Sequence, residues 1–294
     1  MENRTEKNIR LVALDLDETT LRTGGNLSEY TRHALEEADR NGIQIVAASG
    51  RAFSALPKAV TDLPFVEYAI ASNGANIYEV KTGKRVMAKF LEKEAAGRIL
   101  DIAREEGLLV EGFIDGVPYS QRNYVEDTDR LNRTGRNARY VQSTRRPVED
   151  IFAFLRQAEC LDSVNLLVEE QERKPAVRKR LEEVKGIYLT TSADVLLETA
   201  NKDAGKGPAL RELAKMLRID REEIAAFGNA ENDIDMIRFA GTGVAVANAA
   251  EEVRAAADEV TESNDEDGVA RWIMRYLGKS AFCVVNEQKH TFYM

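Results

Sequence analysis

Short apolar runs that each stop at a small polar cluster set the tightest limit on what this chain can fold into. The first, residues 9–14, is flanked by charge and halts at Asp15. The second, residues 43–48, ends at Ser49-Gly50-Arg51, and the third, residues 68–71, at Ser72-Asn73-Gly74. Runs of this length fit strands buried on both faces, as in a parallel sheet covered by helices. Between the first two, Ser28 is placed to cap a helix through about Asn41, with Leu27 before it and Gly42 behind. Strand, helix, strand at this spacing predicts an α/β fold built on a parallel sheet.

The pattern changes in the middle of the chain. Residues 77–80 and 85–89 flank Lys81-Thr82-Gly83-Lys84, and residues 108–114 and 117–121 flank Asp115-Gly116. Both are hairpin signals. Residues 92–106, 148–158 and 173–184 have helical periodicity, and 163–168 reads as a strand. This section, 85–192, is expected to be an inserted α+β domain. Alternation then resumes, with strands at 195–198, 224–227 and 243–246 and helices at 207–217, 232–239, 251–257 and 267–276. The expected organisation is a core from 1–84 and 193–278, an insertion over 85–192, and an unassigned tail, 279–294.

Composition narrows the function. The 294 residues suffice for one large or two moderate domains, and a net charge of −9 argues against a nucleic-acid partner. An anionic substrate stays open, because local fields decide binding. No stretch of eighteen apolar residues points to a membrane, and the polar first eight residues do not read as a signal peptide. Cys160 and Cys283 make no metal-ligand or disulfide framework, so a cytoplasmic setting is expected. Oligomeric state is left open. His33 and His290 are the only histidines, too few for a multi-histidine metal site and poor material for a Ser-His-Asp triad. Carboxylates, lysine and a hard metal are the expected tools.

Ligands of open α/β sheets bind at the carboxyl ends of the strands. The clusters there are Asp15/Asp17/Thr19, Ser49-Gly50-Arg51, Lys206-Gly207 and the segment from Gly228 to Asp233. They supply what phosphoryl transfer needs. One carboxylate can attack phosphorus while another protonates the leaving oxygen. Lysine, serine and backbone N–H groups offset phosphoryl charge, and Mg²⁺ takes hard oxygen ligands.

In these residues the chain resembles the haloacid dehalogenase (HAD) superfamily, and within it the Cof-type phosphatases with a large α/β cap of the C2B type. Asp15, Asp17 and Thr19 match the family's Asp-x-Asp-x-Thr motif, and Ser49 its second motif. Lys206-Gly207-Pro208-Ala209-Leu210 matches the third, and Gly228 to Asp233 the fourth. The resemblance covers about residues 9–278. It implies a Rossmann-like core, with 85–192 as a cap that selects substrate. It also implies a Mg²⁺-dependent phosphatase of small phosphate monoesters, sugar phosphates or phosphorylated cofactors, that forms an aspartyl-phosphate. Asp15 would be nucleophile and metal ligand. Asp17 would be general acid/base and bind metal through its backbone carbonyl. Ser49, Gly50 and Lys206 would hold the phosphoryl group, Asn232 would contact phosphate or substrate, and Asp233 would complete the metal set by orienting water.

Asn229 departs from the pattern, standing where the family has a metal-binding aspartate; its amide oxygen can ligate Mg²⁺ but brings no charge. Two alternatives stay open: a sugar phosphomutase or phosphotransferase, since the resemblance extends to phosphomutases with this cap type, and, because of Asn229, a low-turnover phosphometabolite-binding protein. Glu18 stands where many relatives have glycine. Asn73 and Arg51 have structural readings as plain as their functional ones. The crowd of Arg133, Arg136, Arg139, Arg145 and Arg146 fits a solvated surface or a basic rim for anions.

Overall fold

The computed structural model describes residues 8–279 apart from Arg136. Cys283, His290 and all but the first residue of the expected tail lie outside the described residues. Strands β1 (Leu11–Asp15), β2 (Gln44–Ala48), β3 (Val66–Ala71), β4 (Asn76–Glu79) and β5 (Lys84–Ala88) come first. Next are β6 (Leu109–Ile114), β7 (Val117–Gln121), β8 (Arg146–Val148), β9 (Ser163–Leu167), β10 (Ile187–Thr190) and β11 (Leu196–Asn201). Strands β12 (Ile224–Gly228), β13 (Thr242–Val246) and β14 (Glu259–Thr261) close the series. One sheet has the order β14-β13-β12-β1-β2-β3-β4-β5, the other β10-β11-β9-β6-β7-β8.

In the first sheet, β14 through β3 run parallel, and the β4–β5 hairpin adds antiparallel edges. Strand β1 lies between β2 and β12, so the chain winds outward from it in both directions. That is a topological switch point, where strand ends leave a crevice. All five residues of β1 are buried, as its unbroken apolar run predicts. Leu11 and Ala13 pack with Leu210 and Leu213 of the helix Lys206–Leu217. Val12 and Leu14 face the other way, among residues that include Leu35 of the helix Glu29–Arg40 and Trp272 of the helix Gly268–Tyr276. Ser28 caps its helix as expected, accepting from Thr31 N–H at 2.9 Å.

The second sheet has its own core. Val110, Val164, Leu166 and Leu197 pack against the helices Lys93–Glu105, Ile151–Gln157 and Lys174–Glu182. Both expected hairpins form, and Asp115 and Gly116 take φ of 52° and 71°, the left-handed pair that a tight hairpin demands.

The change of sheet does not coincide with the expected boundaries. The cut at 84/85 falls inside the hairpin, since β5 belongs to the first sheet. The strand expected to resume the core at 195–198 is β11, which pairs with β9 and β10 in the second. A periodic pattern announces a strand but not its partner, and pairing alone decides the sheet. The two crossing segments run side by side, Asn201 Nδ2 donating to Phe90 O at 2.8 Å. Val148, expected to open a helix, ends β8 instead, because Asp150 caps the helix by accepting from Ala153 N–H at 2.9 Å. Short helices at Arg122–Val125, Thr128–Arg133 and Ala138–Thr144 had no predicted counterpart. No helix among the described residues is long and apolar enough to cross a membrane.

Candidate active site

Past β1 the chain coils into one wide turn over Leu16–Thr20, closed by Leu21 N–H on Leu16 O at 2.9 Å. Thr20 Oγ1 donates to Asp15 O at 2.6 Å and tightens it. The coil directs Asp15 and Asp17 into one cavity of about 610 Å³ between the two sheets, a size typical of small-molecule sites. Glu18 takes φ 56°, a left-handed conformation that glycine adopts without penalty.

Lys206, the first residue of its helix, is fully buried and lies between two carboxylates. Its Nζ is 2.6 Å from Asp15 Oδ1 and 2.6 Å from Asp233 Oδ1. Burial opposes the ammonium charge, but Asp15 and Asp233 outweigh it and hold Lys206 above the ordinary lysine range. Burial, and then the Asp233 charge, push the Asp15 carboxyl up to about 7 against the pull of Lys206. The other Asp233 oxygen accepts from Asn229 N–H at 2.9 Å and Ala230 N–H at 3.0 Å. Gly207 N–H donates to Asp235 Oδ1 at 3.0 Å, anchoring the helix start that positions the lysine.

The remaining strand ends form the wall. Ser49 Oγ accepts from Arg51 N–H at 3.2 Å. Arg51 donates to both Asp17 oxygens, at 2.7 and 2.5 Å, and stacks 4.0 Å over the Tyr140 ring of the cap. Ser72, Asn73 and Gly74 all have positive φ, so the chain turns sharply after β3. Asn73 thereby joins core to cap: it accepts from Asn232 Nδ2 at 2.9 Å and donates to Glu198 Oε1 at 3.0 Å. A Cβ on Gly50 would lie only 3.0 Å from Asn73 Oδ1 and 3.1 Å from Glu198 Oε1. Asn229 Oδ1 accepts from Thr19 Oγ1 at 3.1 Å.

Asp15, Asp17, Ser49, Gly50, Asn229 and Asn232 thus reach the cavity wall, while Lys206 and Asp233 lie buried behind Asp15. Both oxygens of Asp233 are taken up by Lys206 and the Asn229 loop, so its carboxylate faces the lysine rather than the cavity. Among the described residues no group of three His, Cys, Asp or Glu side chains is arranged to hold a metal. The donors that remain are hard oxygens, the Asp15 carboxylate, the Asn229 amide and the Asp17 segment, and these fit Mg²⁺. The wall carries six carboxylates (Asp15, Asp17, Glu18, Glu111, Asp194, Glu198) against the guanidiniums of Arg22, Arg51 and Arg145. Of the arginine crowd, Arg145 alone among those described lines the cavity; Arg133, Arg139 and Arg146 are exposed. Sequence reasoning passed over Glu111, Asn165 and Glu198. Their one signal was a polar residue within or closing an apolar run.

A parallel sheet with an acidic crevice at its switch point, covered by a second α+β layer, is the architecture of haloacid dehalogenase-like hydrolases. The model of that family matches residues 12–273, and the chain belongs to it. Phosphatase YwpJ of Bacillus subtilis (strain 168) is 32% identical over 286 residues, 92% of this chain and 100% of the relative. The same organism's 5-amino-6-(5-phospho-D-ribitylamino)uracil phosphatase YwtE is 28% identical over 286 residues, 92% of this chain and 98% of the relative. A solved haloacid dehalogenase-like hydrolase from B. subtilis superposes with TM-score 0.79 at 28% identity, covering 90% of this chain and 99% of that one. The chain is therefore an enzyme of this hydrolase family, and its relatives include phosphatases.

Proposed function

We propose that this enzyme is a magnesium-dependent phosphatase that acts on small phosphorylated metabolites in the cytoplasm through an aspartyl-phosphate on Asp15. One observation carries the proposal: Asp15, at the end of the central strand, faces the cavity while Lys206 fixes its Oδ1 from behind. The carboxylate attacks phosphorus and the bond to the leaving oxygen breaks. Asp17 delivers the proton that the leaving oxygen needs. Water, deprotonated by Asp17, then attacks the phosphorus, the acyl-phosphate bond breaks and Asp15 is regenerated. Asp17 is paired with Arg51 and half exposed, so it has to swing from the guanidinium to do this.

Ser49, the Gly50 backbone and Asn232, which reach the cavity wall, hold the phosphoryl group, while Lys206, expected to share that role, holds Asp15 from behind. Asp15, the Asp17 carbonyl and Asn229 would ligate the metal, and Asp233 positions Lys206 and the Asn229 loop. A phosphate monoester brings a charge of about −2 to this wall of excess carboxylate. Magnesium supplies the opposing charge when bound.

Several relatives are named for 5-amino-6-(5-phospho-D-ribitylamino)uracil, so that ester belongs in a substrate panel beside hexose phosphates. Phosphate release that requires Mg²⁺ and stops with chelator is the expected result; no release from p-nitrophenyl phosphate or any panel member contradicts it. The uncharged Asn229 amide favours a second reading, slow turnover with retained binding. Tight phosphometabolite binding with negligible release would select it.

A further inference from the structure

Strands β6, β9 and β11 bring one polar row across the cap sheet. Glu111 pairs with Asn165, and Asn165 with Glu198. Directly paired residues of an antiparallel sheet share a face, and all three line the cavity. The flanking row on the same face, Leu109, Leu167 and Leu196, is apolar and packs under the short helices near Tyr124 and Val141. The polar row therefore has hydrocarbon on one side and faces the cavity.

Asn165 is 2% exposed, and no hydrogen bond reaches its Oδ1. A buried amide oxygen left so costs about 1–3 kcal/mol, a sign of a partner that arrives with a ligand. Whichever way that amide is turned, it offers both a donor and an acceptor. On one side of it, Arg145 grips Glu111 through two contacts of 3.0 Å. On the other, Glu198 connects through Asn73 to Asn232 at the core strand ends. The guanidiniums of the cavity are each committed to a carboxylate: Arg22 to Asp267, Arg51 to Asp17 and Arg145 to Glu111.

We propose that Glu111, Asn165 and Glu198 form the subsite for the leaving group, and that this group is uncharged and bears several hydroxyls. Hydroxyls donate to carboxylates and both donate to and accept from the amide. A second anion would meet two carboxylates, with Arg145, the guanidinium beside the row, already engaged by Glu111. The inference rests on the phosphatase reading and deepens it. A site that hydrogen-bonds substrate hydroxyls discriminates strongly against analogues lacking them.

The test compares kcat/KM of the full chain with Mg²⁺ on p-nitrophenyl phosphate, glucose 6-phosphate, 2-deoxyglucose 6-phosphate and 6-phosphogluconate. Glucose 6-phosphate should exceed 6-phosphogluconate, its carboxylate-bearing counterpart, by about tenfold or more, and should exceed the deoxy ester. Asn165→Leu should lower the ratio of glucose 6-phosphate to p-nitrophenyl phosphate by about tenfold or more. A parent that prefers 6-phosphogluconate, or an Asn165→Leu ratio within about threefold of the parent's, overturns the subsite while leaving the phosphatase reading intact. The parent's own preference needs no variant to fold. A parent inactive on p-nitrophenyl phosphate and on every ester overturns the phosphatase reading, and the subsite falls with it.

Discussion

Removing the Lys206 ammonium would leave the Asp15 and Asp233 carboxylates in a buried site with no charge between them. Breaking a buried ion pair in this way costs about 3–5 kcal/mol. Lys206→Met should lose that much in urea unfolding, along with activity; a loss below about 1 kcal/mol would show that the lysine is not the counter-charge described. Asn229→Asp adds the missing charge beside Asp15 and should tighten Mg²⁺ roughly tenfold in a titration of activity against metal. Unchanged affinity would remove Asn229 from the metal set. Asp15, Asp17 and Ser49 were legible because strand ends gather side chains wherever a parallel sheet forms; Lys206 instead enters from the start of the helix that follows β11. The Asp17–Arg51 pair and the inward turn of Asp233 were not, because sequence spacing brings residues near without fixing which way they point.

At the level of elements, the site depends on two backbone turns that touch. Asn73 O accepts from Gly205 N–H at 2.9 Å, and a Cβ on Gly74 would lie 2.0 Å from Gly205 O. Gly74 also has φ 81°. Gly74→Ala should cost on the order of 2–4 kcal/mol, combining backbone strain with overpacking against an atom that cannot rotate away. It should also displace Asn73 from Glu198. A variant as stable as the parent in thermal unfolding would contradict the close approach. Strands β1 and β2 could be read from apolar runs, and the helix between them from Ser28 and Gly42. The membership of β5 and β11 could not, since it depends on pairing across long stretches of chain. The same holds for the row Glu111, Asn165, Glu198: each residue looks isolated until register aligns them.

Across the whole molecule, two sheets carry separate cores and meet around one cavity. They are tied by Asn73–Glu198, Arg51–Tyr140 and the Arg178–Glu231 ion pair. Trp272 packs edge-on to Phe227 at 5.2 Å and reports the first core alone. Leu166→Ala removes volume from the second core at a cost of about 2–5 kcal/mol. Its far-UV transition in urea should begin before the Trp272 fluorescence transition; coincident transitions would mean the cap and core unfold as one. The central claim is that Asp15 is the attacking group, and its most direct test is the kcat of Asp15→Asn on p-nitrophenyl phosphate at saturating Mg²⁺. A fall of at least about a thousandfold with an unaltered circular dichroism spectrum is expected. A folded Asp15→Asn enzyme that keeps about a tenth or more of the parent rate would contradict the claim.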